Sequence, residues 1–332
     1  MSSSKINKEM GLIEPIDAPQ VKKTSREGFG KALVELGMEN PNVWVMTADV
    51  SESTMTHWFE EKFPERFVQV GVAEQNLAGV AAGIASCGKI VFISAYGVFS
   101  PGRNWDQVRV AICYNDVPVK LHGSHCGITV GPDGASHQAL EDIAITRVLP
   151  NMTVVVPADA EEARKATIEI AKVKGPAYIR TCREKMPVFT TAATPFRIGK
   201  VNVYRFGDDV AIFACGPLVY ESILAAERLE GEGISCAVID CHTVKPIDVE
   251  AIKYWAEKTK FIVSVEEHQV SGGLGGAIAE VVSELKGECT LKRHGIKDVF
   301  CESGSALELL KKYGLDADGI AQFVRDNYEV RR

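Results

Sequence analysis

One pattern limits the possible folds of this chain more than any other: short apolar runs of strand length alternate with longer helical stretches, and the alternation breaks once. Strand-like runs at Val43–Thr47 (VWVMT), 67–70, 90–94, 117–122, 154–156 and Ala177–Arg180 are separated by helical periodicity at 24–37, 76–87, 104–115, 140–146 and 160–173. Thr24 has the chemistry of an N-cap, and Gly37 that of a residue just past a helix end. Strands joined through helices must run mostly parallel, with helices covering both faces of the sheet. At 186–199 (MPVFTTAATPFRIG) two prolines, several threonines and no helical period mark a linker. The alternation then resumes, with strands at 210–214, 235–240 and 261–265 and helices at 219–229, 249–259 and 275–285. The expectation is a loose lead-in over 1–23, an α/β domain over 24–185, a linker over 186–199 and a second α/β domain over 200–332.

A chain of 332 residues is long enough for two cores. Its 37 Lys and Arg against 44 Asp and Glu give a net charge of −7, so no general basic field exists to bind a nucleic-acid backbone. A local basic pocket for a small phosphorylated metabolite remains compatible with that balance. The first ten residues are polar with no apolar core, and the longest apolar runs, 77–88 and 210–216, are too short to span a bilayer. A cytoplasmic protein with no membrane partner is expected. Nine scattered cysteines without a CxxC pair read as buried, reduced thiols.

In open α/β sheets, ligands sit at the carboxyl ends of the strands. That rule selects 48–54, 71–75, 94–103 and 122–137, all in the first domain. Glu74, in GVAEQN, opens a helix rich in Ala and Gly, whose positive end favours an ionised carboxylate; the same position also suits an ordinary first-turn acid. Tyr96 and Phe99, in SAYGVFSPGRNWDQVR, have spacing that usually packs a core, but after a strand end they offer faces for a flat ring. The segment LHGSHCGITVGPDGASHQ gathers His122, His125 and His137, three of the seven histidines, with Asp133 and several glycines. It lacks fixed ligand spacing, which points to acid–base work or substrate hydrogen bonding and away from a metal. The stretch GGLGGAIAE is out of phase with a dinucleotide fingerprint and reads as tight strand–helix packing. Arg180 and Arg183, in YIRTCRE, form a possible anion clamp, beside the plain reading of surface arginines.

Taken together, these segments resemble the C-terminal half of transketolase, a thiamine diphosphate enzyme, over roughly residues 24–330. GVAEQN is similar to the family's glutamate motif, YGVFSPGRNWDQVR to its aromatic pocket, and GPDGASHQALEDIAITRVLPNMTVVVPAD to its substrate-loop signature. The resemblance implies that Glu74 bonds a ring nitrogen of the cofactor's aminopyrimidine and sets its tautomer. It implies that Phe99 stacks on that ring, with Tyr96 and Asp49 nearby. It assigns catalytic roles to Glu74, His137 and His125. It gives Asp133, His125 and His137 the sugar, and Arg26, Ser53 and Arg183 the phosphate, with Arg180 as the alternative to Arg183.

The family's Gly-Asp-Gly motif for the diphosphate and its divalent ion is missing here. Pro132-Asp133-Gly134 is the nearest imitation and already belongs to the substrate loop. The resemblance therefore implies the pyrimidine-binding C-terminal subunit of a split transketolase, with no metal ligand of its own. Thiamine diphosphate would lie against a separate N-terminal subunit that holds Mg2+, in a dimer of heterodimers. The implied reaction moves a two-carbon ketol unit from a ketose phosphate to an aldose phosphate, as in the pentose phosphate pathway. The alternatives are the β subunit of a 2-oxoacid dehydrogenase, deoxyxylulose-phosphate synthase, and a non-catalytic assembly subunit with the same fold.

Overall fold

The computed structural model describes residues 5–18 and 21–328; residues 1–4 of the expected lead-in, and 19–20, lie outside the described residues. The first half runs β1 (Lys22–Lys23), α1 (Ser25–Glu39), β2 (Val43–Thr47), α2 (His57–Lys62), β3 (Phe67–Gln69), α3 (Glu74–Ser86) and β4 (Ile90–Tyr96). It continues through α4 (Trp105–Gln107), which widens into a π-helical segment at Val108–Tyr114, to β5 (Val119–Ser124), α5 (Asp142–Arg147), β6 (Thr153–Val155), α6 (Ala160–Ala171), β7 (Ala177–Arg180) and β8 (Met186–Pro187). Thr24 does cap α1: its hydroxyl accepts from Glu27 N–H while the Glu27 carboxylate accepts from Thr24 N–H. The helix passes through Gly37 and ends at Glu39, however. Gly37 is needed for contact, since a Cβ there would sit 2.5 Å from the Phe63 ring.

Strands β6, β7, β5, β4, β2 and β3 pair in parallel in that order. The second half contains β9 (Asn202–Arg205), β10 (Val210–Ala214), α7 (Leu218–Gly231), β11 (Cys236–Asp240), β12 (Thr243–Lys245) and α8 (Val249–Thr259). It ends with β13 (Phe261–Gln269), α9 (Leu274–Ser283), β14 (Thr290–Ile296), α10 (Ala306–Lys312) and α11 (Ala317–Tyr328). Here β14, β13, β10 and β11 are parallel and β9 closes the edge antiparallel to β11. Strand β12 leaves this domain to pair antiparallel with β6, so the second half supplies an edge strand to the first half's sheet.

Two further expectations need correction. The described residues before Thr24 are not loose: Ile6 and Ile16 are buried in the second domain's core, and Lys22–Lys23 pair with Met186–Pro187. The linker is fixed as well. Asp159, the N-cap of α6, accepts from Phe189 N–H, Thr190 N–H and the Thr190 hydroxyl at 2.7–2.9 Å. Seven of the nine cysteines are buried. Among the described residues, no helix is long and apolar enough to cross a membrane.

Candidate active site

The site starts from the first turn of α1. Ser25 Oγ accepts from Cys182 N–H at 2.9 Å, which pins the start of this helix to the chain just beyond β7 and so sets Arg26 beside Arg183. Arg26, Ser53, Tyr96, His125, Asp133 and Arg183, with Glu52 and Met55, line one open cleft of about 350 Å³. Arg26 donates to Ser53 O at 2.5 Å and lies 3.1 Å from His125 Nε2, while its own Nε is buried without a partner. A guanidinium has no lone pair to offer, so His125 Nε2 accepts and Nδ1–H faces Ser124 Oγ at 2.8 Å. The electrostatics agree: burial first, then Arg26, Arg183 and His137, hold His125 down to about 3. His125 is therefore neutral here. Its backbone is left-handed (φ 57°), which turns the chain out of β5 and over the cleft.

The glycine-rich loop that follows is folded, not slack. Residues 128–136 form short 3₁₀ turns packed on the second domain, where Cβ atoms on Gly131 and Gly134 would meet Gly304 O at 3.2 Å and Ser303 Oγ at 2.3 Å. This packing presents Asp133, exposed, 3.7 Å from Arg183, whose guanidinium also donates to Val130 O. His137 follows, its Nδ1 2.9 Å from Ser136 Oγ and its ring 5.9 Å from Tyr96 and 5.4 Å from Phe99. Tyr96 stacks near Phe99 at 6.2 Å and covers His125 at 4.1 Å.

Glu74 is the first residue of α3 and only 3% exposed. Its carboxylate accepts from Arg103 at 2.7 Å, and the Arg103 guanidinium lies 4.6 Å over the Phe99 ring. Asn104 steadies the turn by donating to Glu74 O at 3.1 Å. An unbroken series of contacts thus runs from Glu74 through Arg103, Phe99 and Tyr96 to the histidines and arginines of the cleft.

Not every candidate joins it. His122 is buried on β5, stacked 3.7 Å from Phe29 and bonded to Ser94 and Thr181 hydroxyls, so it belongs to the core. Arg180 is 3% exposed and held by Asp142 and Glu267, which separates it from Arg183. Asp49 is exposed in the loop after β2 and is not among the residues lining the cleft. The GGLGGAIAE stretch packs tightly: Glu266 accepts from Leu274 and Gly275 N–H, and a Cβ on Gly273 would fall 1.9 Å from its carboxylate. A larger hollow, about 530 Å³, lies between the π-helical segment and residues 149–151, but Arg109 is its sole charged lining residue and it gathers no comparable set.

Residues 21–188 match the pyrimidine binding domain of transketolase and residues 199–320 its C-terminal domain. The chain belongs to the transketolase family. It is 45% identical over 308 residues to a putative transketolase C-terminal section from Methanocaldococcus jannaschii, covering 92% of this chain and 96% of that one. It is 38% identical over 319 residues to a 6-deoxy-6-sulfo-D-fructose transketolase subunit from Clostridium sp. (strain MSTE9), covering 96% and 97%. A solved structure described as a split gene transketolase, inactive β4 tetramer, aligns with a TM-score of 0.86 at 45% identity, over 93% of this chain and 99% of that chain. The transketolase of Campylobacter jejuni shares the fold at a TM-score of 0.80 and 20% identity, and this chain spans 49% of it.

Transketolases are thiamine diphosphate enzymes, and the residues that could meet the flat part of such a cofactor lie beside the cleft, at Glu74 and Phe99. Glu74 is a buried acceptor beside an aromatic face, which suits a flat ring carrying a protonatable nitrogen. Arg103, which sequence reasoning passed over, occupies that acceptor. Its only signal was its place in SAYGVFSPGRNWDQVR, four residues past Phe99, where one turn (Arg103 N–H to Phe99 O, 2.8 Å) brings its guanidinium over that ring.

Proposed function

We propose that this chain is the pyrimidine-binding subunit of a split transketolase that moves a two-carbon ketol unit from a ketose phosphate to an aldose phosphate. The observation that carries this reading is the cleft's composition. Two arginines, one with a buried unpartnered Nε, lie on the same contact series as a buried glutamate and two aromatic rings. Thiamine diphosphate supplies the electron sink for ketol cleavage when bound. Glu74 holds the aminopyrimidine and fixes its proton, Phe99 and Tyr96 give it a stacking face, and Asp49, from the exposed loop after β2, contributes an acid near the cofactor. Arg26 and Arg183 bind the anionic end of the sugar, with Ser53 as a further polar contact. Asp133 accepts from a sugar hydroxyl, while His125 and His137 bond other hydroxyls and move protons at the reacting oxygen. When Arg26 turns toward the anion, His125 Nε2 is released to accept from substrate.

Mg2+ and the diphosphate fall to an N-terminal subunit, in a dimer of heterodimers working in the cytoplasm. The two arginines also favour sugar phosphates over the small 2-oxoacids of a dehydrogenase β subunit. The test is coexpression with a candidate N-terminal subunit, assayed with xylulose 5-phosphate, ribose 5-phosphate, thiamine diphosphate and Mg2+, each subunit being run alone in parallel. Activity from the pair only is the expected result. Activity from this chain alone would remove the need for a partner, and decarboxylation of a 2-oxoacid without sugar transfer would move the assignment to the dehydrogenase.

A further inference from the structure

The junction between the two domains holds a second convergence of polar side chains, which the cleft does not use. Glu162 lies in the first turn of α6; Asp240 ends β11, and His242 follows two residues later. All three are at most 1% exposed, and their ligand-capable atoms lie within 4.8 Å of one another. Both carboxylate oxygens of Asp240 and Nε2 of His242 are buried with no donor directed at them: Asp240 lies against Glu162 and the Tyr204 hydroxyl, but that hydroxyl donates to Glu162. Such atoms are rare in folded proteins because each forfeits its hydration with nothing in return. Three of them meeting at a third, acidic side chain call for an occupant.

The surroundings are built for one. His242 Nδ1 is 2.9 Å from Thr243 Oγ1, and with Nδ1–H donating there, Nε2 keeps a bare lone pair. Phe196 stacks on the imidazole at 4.1 Å and fixes its plane. On the other side, Tyr204 O–H donates to Glu162 Oε1 at 3.1 Å and Ala158 N–H to Oε2 at 2.6 Å, orienting that carboxylate. A shared proton would join one Asp240 oxygen to Glu162 and still leave His242 Nε2 without a partner. A dication balances both charges and uses the imidazole as well.

We propose that Glu162, Asp240 and His242 bind one divalent transition-metal ion of the zinc class, which clasps the two domains together. Asp240 can supply both oxygens, Glu162 one, and His242 its Nε2, which makes four donors without water. Imidazole with carboxylates in a dry, four-donor setting suits Zn2+ better than Mg2+, which demands six oxygens and retains waters. Glu162 belongs to the first domain and the other two ligands to the second. The ion thereby fixes the domain pairing on which the packing of loop 128–136 against residues 303–306 depends.

The experiment is elemental analysis of the purified, dialysed chain, combined with thermal melts after chelation and after adding back Zn2+, Co2+ or Mg2+. The expected result is about one zinc per chain, a melting temperature lower by about 5–10 °C after chelation, and recovery with Zn2+ or Co2+ but not Mg2+. Asp240→Asn and His242→Asn, the first nearly isosteric, are expected to lose the ion and the metal-dependent part of the melt. Two results would overturn the proposal. One is a wild-type chain that takes up no stoichiometric metal and melts unchanged with Zn2+, which would leave a shared proton as the occupant. The other is a folded Asp240→Asn variant that retains wild-type metal content, which would place the ion elsewhere.

Discussion

The carboxyl ends of the two sheets carry similar chemistry and use it in opposite ways. In the first domain, Glu74 and Arg26 keep partners that a ligand can replace: a half-exposed Arg103 for Glu74, and the Ser53 carbonyl and His125 Nε2 for Arg26, whose Nε is still unpaired. In the second, Glu266 caps α9 through two backbone amides, and Glu267 takes Thr129 from the loop and Arg180 from β7. Glu266 is consumed in fixing the start of α9, and Glu267 in joining the domains. The comparison shows that a charged residue at a strand end marks a ligand site only when its partner is solvent-facing, movable or missing. Buried charges with complete sets of partners hold the architecture instead.

The sharpest division between the two regions comes from removing one acid or its buried counterpart. Glu74→Ala in the complex with the diphosphate-binding subunit is expected to lower kcat about 10²–10⁴-fold with little change in the melting curve. Unchanged kcat would mean that Glu74 is only a first-turn helix acid. Arg180→Met should reverse the pattern, because Asp142 and Glu267 would be left charged and unpaired in the interior. Loss of one partner from a buried pair costs about 3–5 kcal/mol, readable as a fall in the urea midpoint. If Arg180→Met remains stable but loses phosphate affinity, the separation of Arg180 from Arg183 is wrong.

A smaller effect is expected at the anion-binding wall. Arg26→Ala and Arg183→Ala should each raise KM for a sugar phosphate roughly 10–100-fold, corresponding to about 1.5–3 kcal/mol for a charge-assisted hydrogen bond, and leave binding of an unphosphorylated sugar nearly unchanged. Equal losses for both sugars would place the arginines in general positioning of the cleft.

Much of this division was legible in the sequence, and the omissions have physical causes. The alternation of strand and helix led directly to the parallel sheets, and strands Val43–Thr47 and Val210–Ala214 have the limits that their apolar runs suggest. The end of α1 was misread because Gly37 has two possible uses, and contact with Phe59 and Phe63 is not visible locally. Strand β12 could not be read at all: three residues pairing with another domain leave no periodic trace. Strand β14 and helices α10 and α11 were likewise passed over. His122, His125 and His137 looked equivalent in one glycine-rich run, yet β5 carries His122 into the core and the left-handed turn at His125 lifts the next ring over the cleft. Spacing along the chain does not distinguish a residue still in a strand from one just past it.

The least dramatic prediction tests the electrostatics on both sides of the comparison at once. Burial first, and then neighbouring positive charge, hold histidines on both sides below their ordinary range, among them His125 at about 3 beside Arg26, Arg183 and His137, and His122 well below beside His125 and Arg26. His268 is held at about 4 by burial, between Asp142, which opposes the shift, and Arg180, which adds to it, with Glu266 3.9 Å away. Each ring is neutral in the folded chain and takes up a proton near pH 6.5 when unfolded. Below 6.5 the unfolded state therefore binds more protons, and stability falls as pH falls until the folded values near 4 and 3 are reached. Each histidine should contribute about 1.4 kcal/mol per pH unit across that window. Glu162 and Glu266, pushed up to about 7 by burial, bind protons in the folded state over the same window and oppose this slope, so the share of His125 is read as the difference between wild type and variant in urea midpoints measured between pH 6.5 and 5. His125→Asn, which keeps a side chain suited to the left-handed turn, should remove one proton's share of the slope. An unchanged slope in that variant would mean that His125 titrates as it would in water, and that the cleft is wetter than its contacts with Arg26 and Tyr96 imply.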